Sequence, residues 1–178
     1  MPPQITKTLL TKLARVRLFL CDVDGILTDT SVWMGNEGET KRFCVRDGLG
    51  LRLLRQTGIK VGWISGRPSP ATEQRARELE VDFLCQSRDN KVTLAKAILD
   101  QTGLSWQDIC YMGDDIVDLG LLRRAGLAVV VPSAIEEAKA TADYITRKPG
   151  GQGAVREVVE LILKAQNKWE TLVRDYSA

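Results

Sequence analysis

VRLFLCDVDG, residues 16–25, decides how this chain is read. The apolar run Leu18-Phe19-Leu20-Cys21 is long enough for one buried strand, and it stops abruptly at Asp22-Val23-Asp24-Gly25. Side chains two apart on a strand share a face, so Asp22 and Asp24 can point at one spot. Two carboxylates that close need a cation or a proton between them. In an open parallel sheet, ligands bind outside the carboxyl ends of the strands, which is where this acidic pair falls.

Working outward, further short apolar or β-branched runs follow at KVGWIS (60–65), DFLCQ (82–86), DICYMG (108–113) and LAVVV (127–131). Stretches of helical period separate them, at Gly48–Gln56, Pro70–Leu79, Lys91–Thr102, Val117–Ala125, Ile135–Ala142 and Gly153–Lys168. This alternation predicts an α/β fold with a doubly wound, mostly parallel sheet. Gly58, Gly103 and Gly126 stand where C-terminal caps are expected. One interval breaks the rhythm: SVWMGNEGETKRFCV (31–45) reads as two short strands about a GNEG turn, a hairpin flap over the strand ends. The last stretch, NKWETLVRDYSA (167–178), reads only as a polar tail.

Composition narrows the chemistry. The chain has 178 residues, a formal charge of +2 and no histidine. One ordinary domain accommodates that length, and the scattered Lys and Arg form no stripe for nucleic acid. No stretch is long enough to span a bilayer and the N-terminal apolar run is short, so no membrane association and a cytoplasmic location are expected. Without histidine, Ser-His-Asp and Cys-His catalysis are excluded. Cys21, Cys44, Cys85 and Cys110 are widely spaced and lack histidine partners for a zinc site, so they read as free thiols packed like small hydrophobes.

Four strand ends carry polar clusters. Beyond Asp22 and Asp24 come Ser65-Gly66-Arg67, then Asn90-Lys91 opening a helix, then Gly113-Asp114-Asp115 with Asp118 a turn later. Three acids in five positions after an apolar strand suit a hard cation, and Mg²⁺ fits because one or two carboxylates hold it while a substrate phosphate completes its shell. Phosphoryl transfer then needs positioning and charge neutralisation, which Ser65, Lys91 and backbone N–H groups can supply. Asp22 is the candidate nucleophile and Asp24 the candidate general acid-base. Asp115 and Asp118 stand behind them as supporting carboxylates.

DVDGILTD, SGR, NK and GDDIVD, in that order, resemble the four motifs of the haloacid dehalogenase superfamily. MGNEGETKRF, VRDGLG, ADYITR and GGQGAVREV narrow the resemblance to its capless branch, typified by 3-deoxy-D-manno-octulosonate (KDO) 8-phosphate phosphatase. The resemblance implies a Rossmann-like sheet with no cap domain, and Mg²⁺ held by Asp22, the main-chain carbonyl of Asp24, and Asp114. It also implies a homotetramer whose hairpin closes a neighbour's site. Substrate contacts are implied for Cys44, Val45, Arg46, Asp47 and Gly48, and for Arg52, Gly66, Arg67, Arg75 and Lys91, with Asp24 reaching the leaving group. Arginines around a doubly anionic sugar acid make physical sense, since carboxylate and phosphate each accept a bidentate partner.

The chain departs from that pattern at Cys44, where Asn is usual, at Thr30, where Gly is common, and at Gln152, where an arginine is usual. Each bears on recognition more than on phosphoryl transfer, so phosphates of nine-carbon sugar acids are the alternative substrates. A phospho-receiver signalling domain shares the Asp, Mg²⁺, Ser/Thr and Lys chemistry, but it carries its acidic pair on the first strand and its phosphoacceptor on a middle one. A silent scaffold of this fold would show substitutions at Asp22, Asp24, Lys91 or Asp114, and all four are intact.

Overall fold

The computed structural model of the chain describes residues 5–36 and 38–177. Six strands form one parallel sheet, in the spatial order β5 (Phe83–Gln86), β4 (Lys60–Ser65), β1 (Leu18–Cys21), β6 (Ile109–Gly113), β7 (Leu127–Val130), β8 (Tyr144–Ile145). Strand β1 is central and buried along its whole length, as its unbroken apolar run requires of a strand covered on both faces. Phe19 pairs in register with Val61 of β4 and Cys110 of β6.

The chain runs outward from β1 to β4 and β5, then crosses back to β6 on the other side of β1. Strand order therefore reverses between β1 and β6, and the carboxyl ends of these two strands flank the switch-point crevice. Helices α1 (Lys7–Arg15) and α2 (Val45–Gln56) pack on α7 (Ala154–Ala165), while α5 (Leu119–Leu122) joins α4 (Lys91–Thr102) to α6 (Glu136–Thr141). Helix α3 (Pro70–Glu78) meets the flap, an antiparallel pair of β2 (Trp33–Gly35) and β3 (Gly38–Thr40).

Several expectations shift. The flap's paired strands are shorter than 31–45, and Glu37 at its turn lies outside the described residues. Helix α2 starts at Val45 rather than Gly48, because Asp47 and Gly48 fit its first turn. The segment expected as one helix from Val117 begins as a 3-10 turn, Ile116–Asp118, before α5. Beyond the sequence reading lie α1, the 3-10 turn Trp106–Asp108, β8 and α8 (Trp169–Asp175), the last within the supposed polar tail. Gly58 and Gly103 do adopt left-handed φ of 84° and 67°. Gly126 is needed for a different reason: a Cβ there would meet the Gln107 carbonyl oxygen at 2.2 Å. The four cysteines are free, with Cys21 and Cys110 fully buried.

Candidate active site

The first strand delivers Asp22 to the sheet edge while still bonded to it: its N–H donates to the Met112 carbonyl at 2.9 Å. Gly25 then turns the chain with φ 99°, and a Cβ there would lie 2.1 Å from Asp114 Oδ2, so only glycine lets the two loops approach this closely. Behind the turn, the loop at residues 150–153 packs backbone to backbone, with Gly151 N–H donating to Ile26 O at 2.9 Å.

Lys91, at the first turn of α4, lies between two carboxylates. Its Nζ is 3.1 Å from Asp22 Oδ1 and 2.7 Å from Asp118 Oδ1. Both oxygens of Asp118 are committed: Oδ1 accepts from Lys91 and from the Tyr111 hydroxyl at 2.5 Å, and Oδ2 accepts from Asp114 N and Asp115 N at 3.0 and 3.2 Å. Asp118 thereby shapes the loop that carries Asp114. Asp115 is exposed and its Oδ1 accepts from Ile116 N at 2.7 Å, capping the 3-10 turn.

The charges are mismatched without a further cation. Burial, and next the Asp118 carboxylate, pushes Asp22 up to about 6. Asp114 is pushed up to about 7, by burial first and then by Asp118, Asp22 and Asp115. Burial works against the Lys91 ammonium, but Asp22 and Asp118 outweigh it and hold its pKa above the ordinary lysine value. Asp22, Asp114 and Asp118 each offer an oxygen within 4.8 Å of the others, and Asp114 Oδ1 is buried with no hydrogen-bond partner among the described residues. An orphaned, desolvated carboxylate oxygen beside a second acid fits a hard divalent cation.

The remaining candidate residues divide. Ser65 is buried at the end of β4, and its hydroxyl exchanges hydrogen bonds with Arg67 O and N at 3.1 and 3.2 Å, next to exposed Gly66. Asp24 pairs with Lys41. The Arg67 guanidinium is taken by Glu39 of the flap, which also accepts from Ser69. Arg75 pairs with Glu78 at 2.7 Å, covers the Phe43 ring, and is close enough to Gly48 that a Cβ there would lie 2.5 Å from its Nη2. Cys44 caps the start of α2 by position, and Val45 and Arg46 are exposed beyond it.

Two candidates are committed elsewhere within this chain. The Asp47 carboxylate is buried and accepts from Gly153 N at 3.2 Å and Arg156 N at 2.7 Å, satisfying the first turn of α7. Arg52 donates to Glu78 O at 2.9 Å in a cleft of about 580 Å³ that runs to Lys60 and Asp82, at the amino edge of the sheet. A separate cleft of about 540 Å³, bounded by Gly66, Asn90, Lys91 and Ile116, adjoins the acidic cluster through Lys91.

Lys41, Glu39 and Tyr111 were missed from sequence. Lys41 carried no signal of its own in the sequence: its pairing with Asp24 exists only in the fold, where Lys41 and Phe43, two apart, both turn inward.

A doubly wound sheet with acids and a lysine at its switch point is the arrangement of the haloacid dehalogenase-like hydrolases, and the model of that family matches residues 83–158. The chain is 38% identical over 165 residues to the KDO 8-phosphate phosphatase KdsC of Escherichia coli K12, covering 92% of this chain and 88% of that protein. The KDO 8-phosphate phosphatase of Moraxella catarrhalis, solved with magnesium, phosphate and KDO, superposes with a TM-score of 0.91 at 43% identity, covering 94% of this chain and 97% of the other. The cobalt-bound Haemophilus influenzae phosphatase gives 0.84 at 35%, covering 88% and 92%. The chain belongs to the KDO 8-phosphate phosphatase family of this hydrolase class.

Proposed function

We propose that this chain is a Mg²⁺-dependent phosphomonoesterase that converts KDO 8-phosphate to KDO and phosphate through an aspartyl-phosphate on Asp22. The observation that carries this reading is the Asp22 carboxylate at the switch point, beside the Lys91 ammonium and the Asp114 oxygen that has no hydrogen-bond partner among the described residues. Asp22 and Asp114, with the main-chain carbonyl of Asp24, would hold Mg²⁺, which when bound neutralises the acids and the phosphate charge.

An Asp22 oxygen attacks phosphorus, and the bond to the sugar oxygen breaks as Asp24 protonates that oxygen. Water, deprotonated by Asp24, then attacks the same phosphorus and returns the Asp22 carboxylate with release of phosphate. Lys91 offsets charge beside the nucleophile, and Ser65 and the backbone after it would hold the phosphoryl oxygens. Cys44, Val45, Arg46, Gly48, Arg67 and Arg75 are the residues that would contact the sugar acid. Arg52 and the Asp47 side chain would take part only after rearrangement or in an assembly. Free cysteines favour the cytoplasm as the place of action.

Phosphate release from KDO 8-phosphate tests the reading. Turnover is expected with Mg²⁺, absent after EDTA, and abolished by Asp22→Asn with the circular dichroism unchanged. Metal-independent turnover, or activity retained by Asp22→Asn, would overturn it. A panel including nine-carbon sugar-acid phosphates identifies the preferred substrate.

A further inference from the structure

The segment following the flap's return strand carries a cation that none of the four motif clusters contains. The Lys41 side chain is fully enclosed, and its ammonium lies 2.8 Å from Asp24 Oδ1 and 3.0 Å from Oδ2. It also donates to Thr72 Oγ1 of α3 at 3.2 Å, and Thr72 is itself completely buried. A buried ammonium persists only where a carboxylate and acceptors replace its water, so these contacts define its position.

Asp24 has little else to orient it, since the Thr28 hydroxyl is 3.5 Å away, at the limit of a hydrogen bond. Along this segment Arg42 turns outward to Asp29 at 2.6 Å, while Lys41 and Phe43 on either side of it turn inward.

We propose that Lys41 is a positioning residue for Asp24, holding the acid-base carboxylate toward the leaving oxygen and tying it to the root of the flap. The inference rests on the phosphatase reading and extends it to a residue outside the four clusters DVDG, SGR, NK and GDD. Leaving-group chemistry isolates the role. A sugar alkoxide needs a proton as it departs, whereas p-nitrophenolate does not, so loss of acid alignment harms the first far more.

The experiment compares wild type, Lys41→Met and Lys41→Arg on KDO 8-phosphate and on p-nitrophenyl phosphate, with Mg²⁺ present. Lys41→Met is expected to lower kcat on the sugar-acid phosphate about a hundredfold with KM within about threefold, while the first turnover of the aryl phosphate falls by less than about threefold. Lys41→Arg is expected to restore most of the loss. Equal losses on both substrates, or an unchanged kcat, would overturn the proposal. Should Lys41→Met fail to fold, Thr72→Val decides: kcat on the sugar-acid phosphate is expected to fall about fivefold with aryl first turnover unchanged, and no change overturns it. A wild type that hydrolyses neither phosphate would instead overturn the phosphatase reading itself.

Discussion

Thr30 adopts φ 71°, a left-handed conformation that crowds a β-branched side chain against its own backbone. This is the position where the resembling family commonly has glycine, and the structure supplies the reason. Thr30→Gly relieves the crowding but adds freedom to the unfolded chain. A net gain of about 0.5–1 kcal/mol is expected, seen as a rise in melting temperature of about 2–4 °C per kcal/mol.

Asp114 makes a second prediction at this scale. Its pKa in the folded, metal-free protein is raised to about 7, so the folded state binds a proton more tightly than the unfolded chain does. Its destabilising charge is fully present above that value and is relieved as pH falls toward the ordinary carboxylate range. EDTA-treated wild type is therefore expected to gain melting temperature, relative to Asp114→Asn, between pH 8 and pH 5.5. An unchanged difference between the two proteins would count against it. The acids and Lys91 were legible because strand ends mark them, with no tertiary information needed. Lys41 was not, because its partner lies 17 residues back, across a hairpin.

Among elements, α7 depends on α2. Its N-cap Gly153 has no side chain to offer, and Asp47 provides the missing acceptors across a separation of 106 residues to Gly153 and 109 to Arg156. Removing those acceptors in Asp47→Ala is expected to cost about 1–3 kcal/mol in urea unfolding, with Asp47→Asn losing less. The strands and most helices could be read from periodicity, since each buries a face that the pattern declares. Elements held by tertiary contacts could not. Helix α8 lies where Trp169 packs under Arg156 at 5.2 Å and Lys164 at 5.5 Å, and where Tyr176 meets Gln56. Its own residues look polar. Strand β8 has two residues, too few for any alternation to register.

For the whole molecule, the flap is pinned to its own chain at Glu39 and Lys41, yet its outer strand leaves Trp33 55% and Met34 73% exposed. Apolar side chains on a projecting hairpin suit burial against a second copy. Light scattering is expected to give four times the 19.7 kDa chain mass, and a monomer would exclude the shared-site assembly.

The packing of residues 150–153 onto Gly25 and Ile26 carries a consequence for the order of events. A Cβ on Gly150 would lie 1.7 Å from the Gly25 carbonyl oxygen, so the nucleophile's loop is moulded against a segment made some 125 residues later. Contacts of such long range form late, because chain closure must precede them. During synthesis, the sheet can assemble strand by strand while its catalytic corner stays unformed. A nascent chain is thus expected to complete its catalytic corner only once residues 150–153 have emerged.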